Sequence, residues 1–427
     1  MKKILGGLLL LIGFGAHADL DITVTGGSTS AIPIAIVPFA QPQGAPADIA
    51  QIISADLDRS GLFRSLKRED MKFELPTQES QVDYRTWRAL NQDNLVIGRV
   101  ETTPGGGATV TAELFTVPQM MKILNIQATA PRPSDWRSMA HKVADQIFER
   151  LTSVKGIFDT RIAYVTVAMV NGKRQYKIIW ADADGENPRE IARSYEPLLS
   201  PSWSPDGKRI AYVAYEGGRQ KIVIQTPTTG DLQTILSEKG INSAPAWTPD
   251  GNKLVVTLSF ETNPDIYVID LATRARRRLT DSYAIDTSPT VSPDGTKVAF
   301  LSDRGGSAQI YMVPITGGEA KRLTFEGRRN EEPRFSPDGK SLALVNYDGS
   351  SYRIGLLDLA TNALKLVSDG PLDEGASFAP NGATVIYTRQ GARGAELATV
   401  SVDGLVRQQL RQTGDVREPA WAPFSRP

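Results

Sequence analysis

The sequence contains no cysteine. That excludes disulfides, a thiol nucleophile and any Cys-ligated zinc or iron–sulfur centre. Histidine is nearly as scarce, with only His17 and His141. An excess of one charge is missing too. The chain has 48 Lys and Arg against 48 Asp and Glu, so the basic surplus of a nucleic-acid binder is absent. The N-terminal apolar run from Ile4 to Phe14 is too short to span a bilayer. What the 427 residues do offer is 37 glycines and 27 prolines, a turn-rich composition that suits many short strands. The length predicts two or three domains, and the 41% hydrophobic and 22% charged content is that of a soluble globular chain.

Lys2 and Lys3, the apolar run and Ala16-His17-Ala18 form a basic region, a hydrophobic region and a small-x-small cleavage site. Residues 1–18 therefore read as a secretory signal peptide, with Asp19 as the mature N-terminus. Leu20, Ile22 and Val24 then alternate with Asp19, Asp21, Thr23 and Thr25, and Gly26-Gly27-Ser28-Thr29-Ser30 follows as a joint. This is strand-like patterning over a stretch too short to fold alone. Residues 19–31 are expected to be a flexible segment that frays, lies as an edge strand of the α/β domain, or adds as a strand to a partner's sheet.

The strongest signal is a repeat. Ser204-Pro205-Asp206-Gly207, Thr248-Pro249-Asp250-Gly251, Ser292-Pro293-Asp294-Gly295 and Ser336-Pro337-Asp338-Gly339 are followed by Ala379-Pro380-Asn381-Gly382 and a truncated Ala422-Pro423. The prolines are 44, 44, 44, 43 and 43 residues apart. One such tetrapeptide is a turn; six at one period indicate a propeller or solenoid. An apolar residue precedes each turn (Trp203, Trp247, Val291, Phe335, Phe378, Trp421), and β-rich runs such as Leu254-Val255-Val256 follow. Four short strands per repeat make a propeller blade. The first blade lacks its first strand, and the C-terminal segment Glu418–Trp421 is a first strand with nothing after it. The expected fold class is an α/β N-terminal domain over residues 32–156, then an all-β six-bladed propeller over 157–427, its ring closed by the C-terminal strand.

In the N-terminal part, Ile34–Phe39, Leu95–Val100, Thr109–Phe115 and Ile123–Thr129 read as strands, with Gly105-Gly106-Gly107 as a turn. Asp48 is the expected cap of a helix carrying Ile49, Ile52, Ile53 and Leu57, stopped by Gly61. Ser134 is the expected cap of a second helix with Trp136, Met139, Val143 and Ile147 on one face, ending at Gly156.

Catalytic constellations are missing. A Ser-His-Asp site needs a histidine base, and His141, beside Val143 on a helical pattern, reads as structural. No Gly-x-Ser-x-Gly elbow occurs. Asp182-Ala183-Asp184-Gly185 lacks the other ligands of a calcium loop and reads as a hairpin turn. Arg274, Arg276, Arg277 and Arg278 read as a charged outer strand guarding a blade edge. The chain is expected to be no enzyme and to hold no cofactor and no metal. Loops joining a fourth strand to the next first strand gather at one mouth of the ring. They carry Glu196, Asn242, Ser243, Asp286, Thr287, Arg328, Arg329, Asn330, Glu331, Asp373, Glu374 and Arg417, polar and mixed in sign. Loops on a rigid ring are a natural binding device.

The leader, the α/β domain, the Ser-Pro-Asp-Gly propeller, Arg161-Ile162-Ala163-Tyr164-Val165 and the ending Pro419-Ala420-Trp421 together resemble the TolB family of the Tol–Pal system. The resemblance covers nearly the whole chain. It implies a monomeric periplasmic binding protein with no reaction of its own. It implies two partners: the lipoprotein Pal, held at the propeller mouth and linking the chain peripherally to the outer membrane, and the TolA C-terminal domain, bound through Asp19–Thr25. The implied role is support of outer-membrane integrity and of constriction during division. Family positions for Pal correspond to Ile241, Ala244 and Thr287, and the family commonly has histidine where Ile241 stands. With the neighbouring loop residues, the expected Pal site is Glu196, Ile241, Asn242, Ser243, Ala244, Asp286, Thr287, Arg329 and Asp373. The alternative reading is a peptide- or carbohydrate-binding propeller outside that system. Serine-peptidase propellers share the turn motif, but this chain has neither the length nor the triad for their hydrolase domain.

Overall fold

The computed structural model describes residues 31–259, 263–391, 394–410, 412 and 414–424. The expected leader and the segment Asp19–Ser30 lie outside the described residues. The N-terminal domain is a five-stranded mixed sheet with helices on its faces. Its elements are β1 (Ile32–Ile36), α1 (Ile49–Arg59), β2 (Phe63–Ser65), α2 (Tyr84–Ala89), β3 (Asn94–Thr102), β4 (Ala108–Thr116), β5 (Met121–Ala130) and α3 (Trp136–Thr152), in sheet order β2-β1-β3-β4-β5. β1 runs parallel to β2 and β3; the two remaining pairs are antiparallel. One face packs Ile34 and Ile36 against Ile49, Ile53 and Leu57 of α1 and Met139, Val143 and Ile147 of α3. The other face packs Ala35, Leu95 and Ile97 on Trp87 of α2. Burial of both faces explains why these strands read as continuous apolar runs.

Asp48 caps α1 as the sequence predicts, accepting from the Gln51 backbone N–H at 3.1 Å. The second helix differs from expectation at both ends. Residues 133–135 form a 3₁₀ turn, so the cap is Asp135 and not Ser134. The helix ends at Ser153, which takes the left-handed conformation (φ 61), not at Gly156. Gly156 is required for a different reason. A Cβ there would lie 2.3 Å from Asp145 Oδ1 and 2.5 Å from Asp145 Cα. Gly156→Ala should therefore destabilise the chain by about 1–3 kcal/mol through overpacking against backbone. A chemical-denaturation midpoint checks this, and an unchanged midpoint would mean that the linker yields freely.

Six four-stranded sheets follow, each antiparallel. Strand one of each lines the channel and strand four lies outside. Asp415–Trp421 pairs with Arg161–Val170 (Val416↔Thr166, Trp421↔Ile162) and so completes the first blade, which closes the ring as expected. Arg161–Val170 and Lys173–Asp182 form a long hairpin. It turns at Asn171-Gly172, both at positive φ (50 and 74), the turn preferred by twisted hairpins. Tryptophans tie neighbouring blades: Trp203 Nε1 donates to Ala420 O and Trp247 Nε1 to Ser202 O, each at 3.1 Å. The arginine run is likewise structural. Arg277 donates to Ile315 O of the next blade, and Arg278 pairs with Asp265. Among the described residues, no helix is long and apolar enough to cross a membrane.

Each first strand contains a bulge. Ser200, Ala244, Ser288, Glu332 and Glu418 have φ of 53, 50, 53, 52 and 51, and Gly375 takes the same place in blade 6 at 68. The strand register slips at each of these points. Five of the six are followed by proline, which cannot donate to the ladder and so favours a bulge.

Candidate functional site

The two ends of the ring are unlike. The Ser-Pro-Asp-Gly turns and the hairpin turns between strands three and four share one face. The N-terminal domain sits on that face over blades 1 and 6: Asn381 donates to Lys155 O at 2.9 Å, and Gly61 lies against Val406. Loops joining strand four to the next strand one form the opposite face, free of the described residues of the N-terminal domain.

On that free face the expected residues divide into two groups. Asn242, Asp286 and Asp373 are 0% exposed. Their side chains turn inward and bond within the loops. Asn242 donates to Glu238 O (2.8 Å), Asp286 pairs with Arg304 (2.7 Å), and Asp373 pairs with Arg389 (3.1 Å) and accepts from the Gly370 N–H (2.9 Å). Asn330 plays the same part in blade 5, bonding Glu326 O and Gln309 Oε1. A buried polar side chain without such partners would be costly, so these residues fix their loops. Ile241, Ser243, Thr287 and Glu196 are half-buried and Arg329 is exposed. Glu196 accepts from the Gly218 N–H at 3.3 Å. Burial raises the Glu331 and Glu374 carboxyls above the ordinary range; Glu332 reinforces both.

Ala244 lies apart from these loop tips. It sits at the bulge of its strand and lines the channel with Ser200, Ser288, Glu332, Gly375 and Glu418, one residue per blade. The channel opens toward the Ser-Pro-Asp-Gly face as a cavity of about 580 Å³. Glu332 Oε2 accepts from the Gly375 N–H (2.9 Å), and Glu418 Oε2 accepts from the Ser200 N–H (2.5 Å), so each carboxylate stitches its blade to the next.

The sequence reading missed the apolar part of the free face. Tyr283 is 91% exposed, Phe325 67% and Tyr195 53%, with Ile285 beside Tyr283. These side chains are exposed on backbone that is held. Asn263 Nδ2 donates to Ser282 O and to Ala284 O, on either side of Tyr283, and the Ile285 N–H bonds Asp303 Oδ1 at 2.8 Å. Arg322 stacks over Phe325, 5.1 Å from the ring centre. Aromatic side chains on rigid loops, rimmed by polar groups, suit a protein interface better than a pocket for a small molecule. The available signal was an aromatic residue standing inside each of three otherwise polar loops.

Asp56, His141 and Asp184 bring carboxylate and imidazole atoms within 4.8 Å of one another, the arrangement of a potential metal centre. The residues do not suit one, because guanidiniums already occupy the carboxylates: Arg59 donates to Asp56 and Arg137 to Asp184. Asp182–Gly185 is the hairpin turn expected, closed by Gly185 N–H to Asp182 O at 2.8 Å.

Residues 20–123 match the TolB amino-terminal domain family and residues 148–425 the TolB beta propeller domain family. The Tol-Pal system protein TolB of Xanthomonas campestris pv. campestris strain B100 is 49% identical over 424 residues, 98% of this chain and 96% of that protein. The protein of the same name from Xylella fastidiosa strain 9a5c is 49% identical over 431 residues, 99% of this chain and 98% of its own length. The crystal structure of TolB from Acinetobacter baumannii superposes with a TM-score of 0.86 at 38% identity, covering 94% of this chain and 99% of that one. A nidogen/laminin complex, at 13% identity and a TM-score of 0.51 over 63% of this chain, shares the propeller fold alone. Full-length similarity in both domains, at this level of identity, places the chain in the TolB family.

Proposed function

We propose that the chain is a non-enzymatic interaction protein of the periplasm that binds the lipoprotein Pal on the free face of the propeller and the TolA C-terminal domain through Asp19–Thr25. In this role it supports outer-membrane integrity and constriction at division as a monomer, with no nucleic acid and no cofactor involved. The observation that favours it is the set of exposed aromatics, Tyr283 and Phe325, on loops clamped by buried polar side chains next to Thr287. Such a surface pays little ordering entropy on association. Family membership names the system in which the partners are sought.

The test is titration calorimetry with soluble Pal. Tyr283→Ala should weaken binding by about 2 kcal/mol, roughly 30-fold, if the ring is a central anchor. Thr287→Arg should add a clash and a misplaced charge. Ala244 is a poorer probe, because its left-handed backbone is strained by bulky replacements. Unchanged affinity in both loop variants would reject the site. Absence of Pal binding by the unaltered chain, with capture of a glycan or free peptide, would favour the alternative reading.

A further inference from the structure

Among the described residues, the most elaborate buried polar cluster is not at the propeller mouth but between the domains. His141 of α3 is 1% exposed, Asp56 of α1 is 1% and Asp184 of the first blade is 5%. His141 Nδ1 lies 2.6 Å from Asp56 Oδ2. Its Nε2 points at Asp184 Oδ2, 3.8 Å away, and has no hydrogen-bond partner. Arg59 reaches both carboxylates, and Arg137 donates to Asp184. The imidazole thus stands between a carboxylate of its own domain and one that belongs to the propeller.

We propose that Asp56–His141–Asp184 is a proton-operated latch between the two domains, closed while the imidazole carries both protons and loosened when it loses one. The geometry supplies the reason. With both nitrogens protonated, each N–H faces a carboxylate. With Nδ1 alone protonated, the Nε2 lone pair faces the Asp184 carboxylate in a buried site, an unsatisfied and repulsive contact. The carboxylates of Asp56, Asp145, Asp159, Asp182 and Asp184 stand among the cations Arg59, Arg137, Lys142, Arg161 and Arg189, and of these carboxylates Asp56 and Asp184 are the two that face the imidazole nitrogens.

Burial by itself pushes His141 down. The charge and hydrogen bond of Asp56 and the charge of Asp184 outweigh burial and the opposing Arg59, and hold the group above the ordinary histidine value. Stabilisation from a raised histidine is fully present below its unfolded value and lost as pH rises through the folded one. Asp145 acts in the same sense. Burial pushes it up to about 6 against the N–H donors of Phe158 and Asp159, so its proton also favours the docked state at low pH. The latch adjoins an apolar crevice of about 210 Å³ between the domains, lined by Arg59, Phe148, Phe158, Val406 and Trp421. Loosening the latch frees that crevice.

A chain beginning at Asp19 has His141 as its only histidine, so ¹⁵N-histidine NMR reads this site alone. The absence of cysteine lets Gln127→Cys and Leu232→Cys carry a dye pair, one per domain, for single-molecule FRET. The imidazole should titrate above about 6.5, and the interdomain distance should lengthen or broaden over the same pH range. The closed-to-open ratio should change about tenfold for each unit by which the midpoint of the docked chain exceeds that of the undocked one, in which Asp56 still faces the imidazole. His141→Gln should abolish the pH dependence. Asp184→Asn, which cuts only the interdomain arm, should lower the midpoint while circular dichroism stays unchanged. It provides the test should the glutamine variant fail to fold. A histidine neutral throughout, a distance independent of pH, or pH dependence that survives in Asp184→Asn at an unmoved midpoint would overturn the proposal.

Discussion

Replacing Trp421 by alanine should lower the stability of the chain by about 3–5 kcal/mol, the usual cost of emptying a buried aromatic site. The indole is 8% exposed and belongs to a cluster with Ile162, Ile386, Leu410 and Val416, which joins the sixth blade to the first. Its Nε1 donates to Thr160 Oγ1 at 2.8 Å, and its backbone N–H donates to Ser377 Oγ at 2.9 Å. Trp203 and Trp247 fill corresponding positions, but the chain runs continuously through their blades. Trp421 sits at the seam, where only strand pairing and side-chain packing close the ring. The two kinds of site should therefore differ in hydrogen exchange. Trp421→Ala should expose the amides of residues 162–167 to exchange, whereas Trp247→Ala, of similar volume loss, should leave them protected. Equal exchange in the two variants would mean that the C-terminal strand holds the seam without its tryptophan.

The propeller was legible because its determinants are local and repeated. A Pro-Asp-Gly turn needs only its own residues to form, and a period of 43 or 44 counts the blades. The unpaired first strand read at Glu418–Trp421 then implied the closure by arithmetic. The first-strand bulges were less visible, although a proline stands four residues before the turn proline in five of six repeats, as at Pro201 and Pro205. In the N-terminal domain α1 and α3 showed their periodicity, but α2 is only six residues long and β2 only three. Segments this short carry no measurable period, and their formation depends on Trp87 and Phe63 finding the two faces of the sheet.

The site was legible by position and not by role. Loop membership follows from topology, so the residues of the free face could be named. Which of them turn inward could not. Asp286 and Asp373 look like surface acids in sequence, and each is sealed by an arginine 18 or 16 residues away. Conversely, Tyr283 and Phe325 look like core residues and are exposed. The interdomain cluster was the least legible of all. His141 contacts Asp56, 85 residues away, and faces Asp184 on a turn whose own sequence explains its presence as a hairpin. Only the docking of the domains brings the three together.

Deleting Asp19–Ser30 should abolish binding to the TolA C-terminal domain and leave the rest of the chain folded. β1 begins at Ile32, whose N–H already bonds Leu62 O at 2.8 Å, and β1 is flanked on both sides by β2 and β3. Among the described residues, both positions beside β1 are filled. Their alternating Leu20, Ile22 and Val24 suit addition to a partner's sheet edge, where backbone bonds supply affinity and one row of apolar side chains sets register. Burying each of those side chains contributes about 1.5–3 kcal/mol, so removing all three exceeds what a typical micromolar interaction can lose and still be seen. Ile22→Asp should weaken binding at least tenfold in the intact chain, since a carboxylate would enter the buried row. Titration calorimetry with the TolA domain measures both, and calorimetric unfolding of the truncated chain confirms that the fold is kept. A truncated chain that binds TolA as tightly as the intact one would reject the segment as the TolA site and return it to a frayed terminus or an edge strand of the α/β domain.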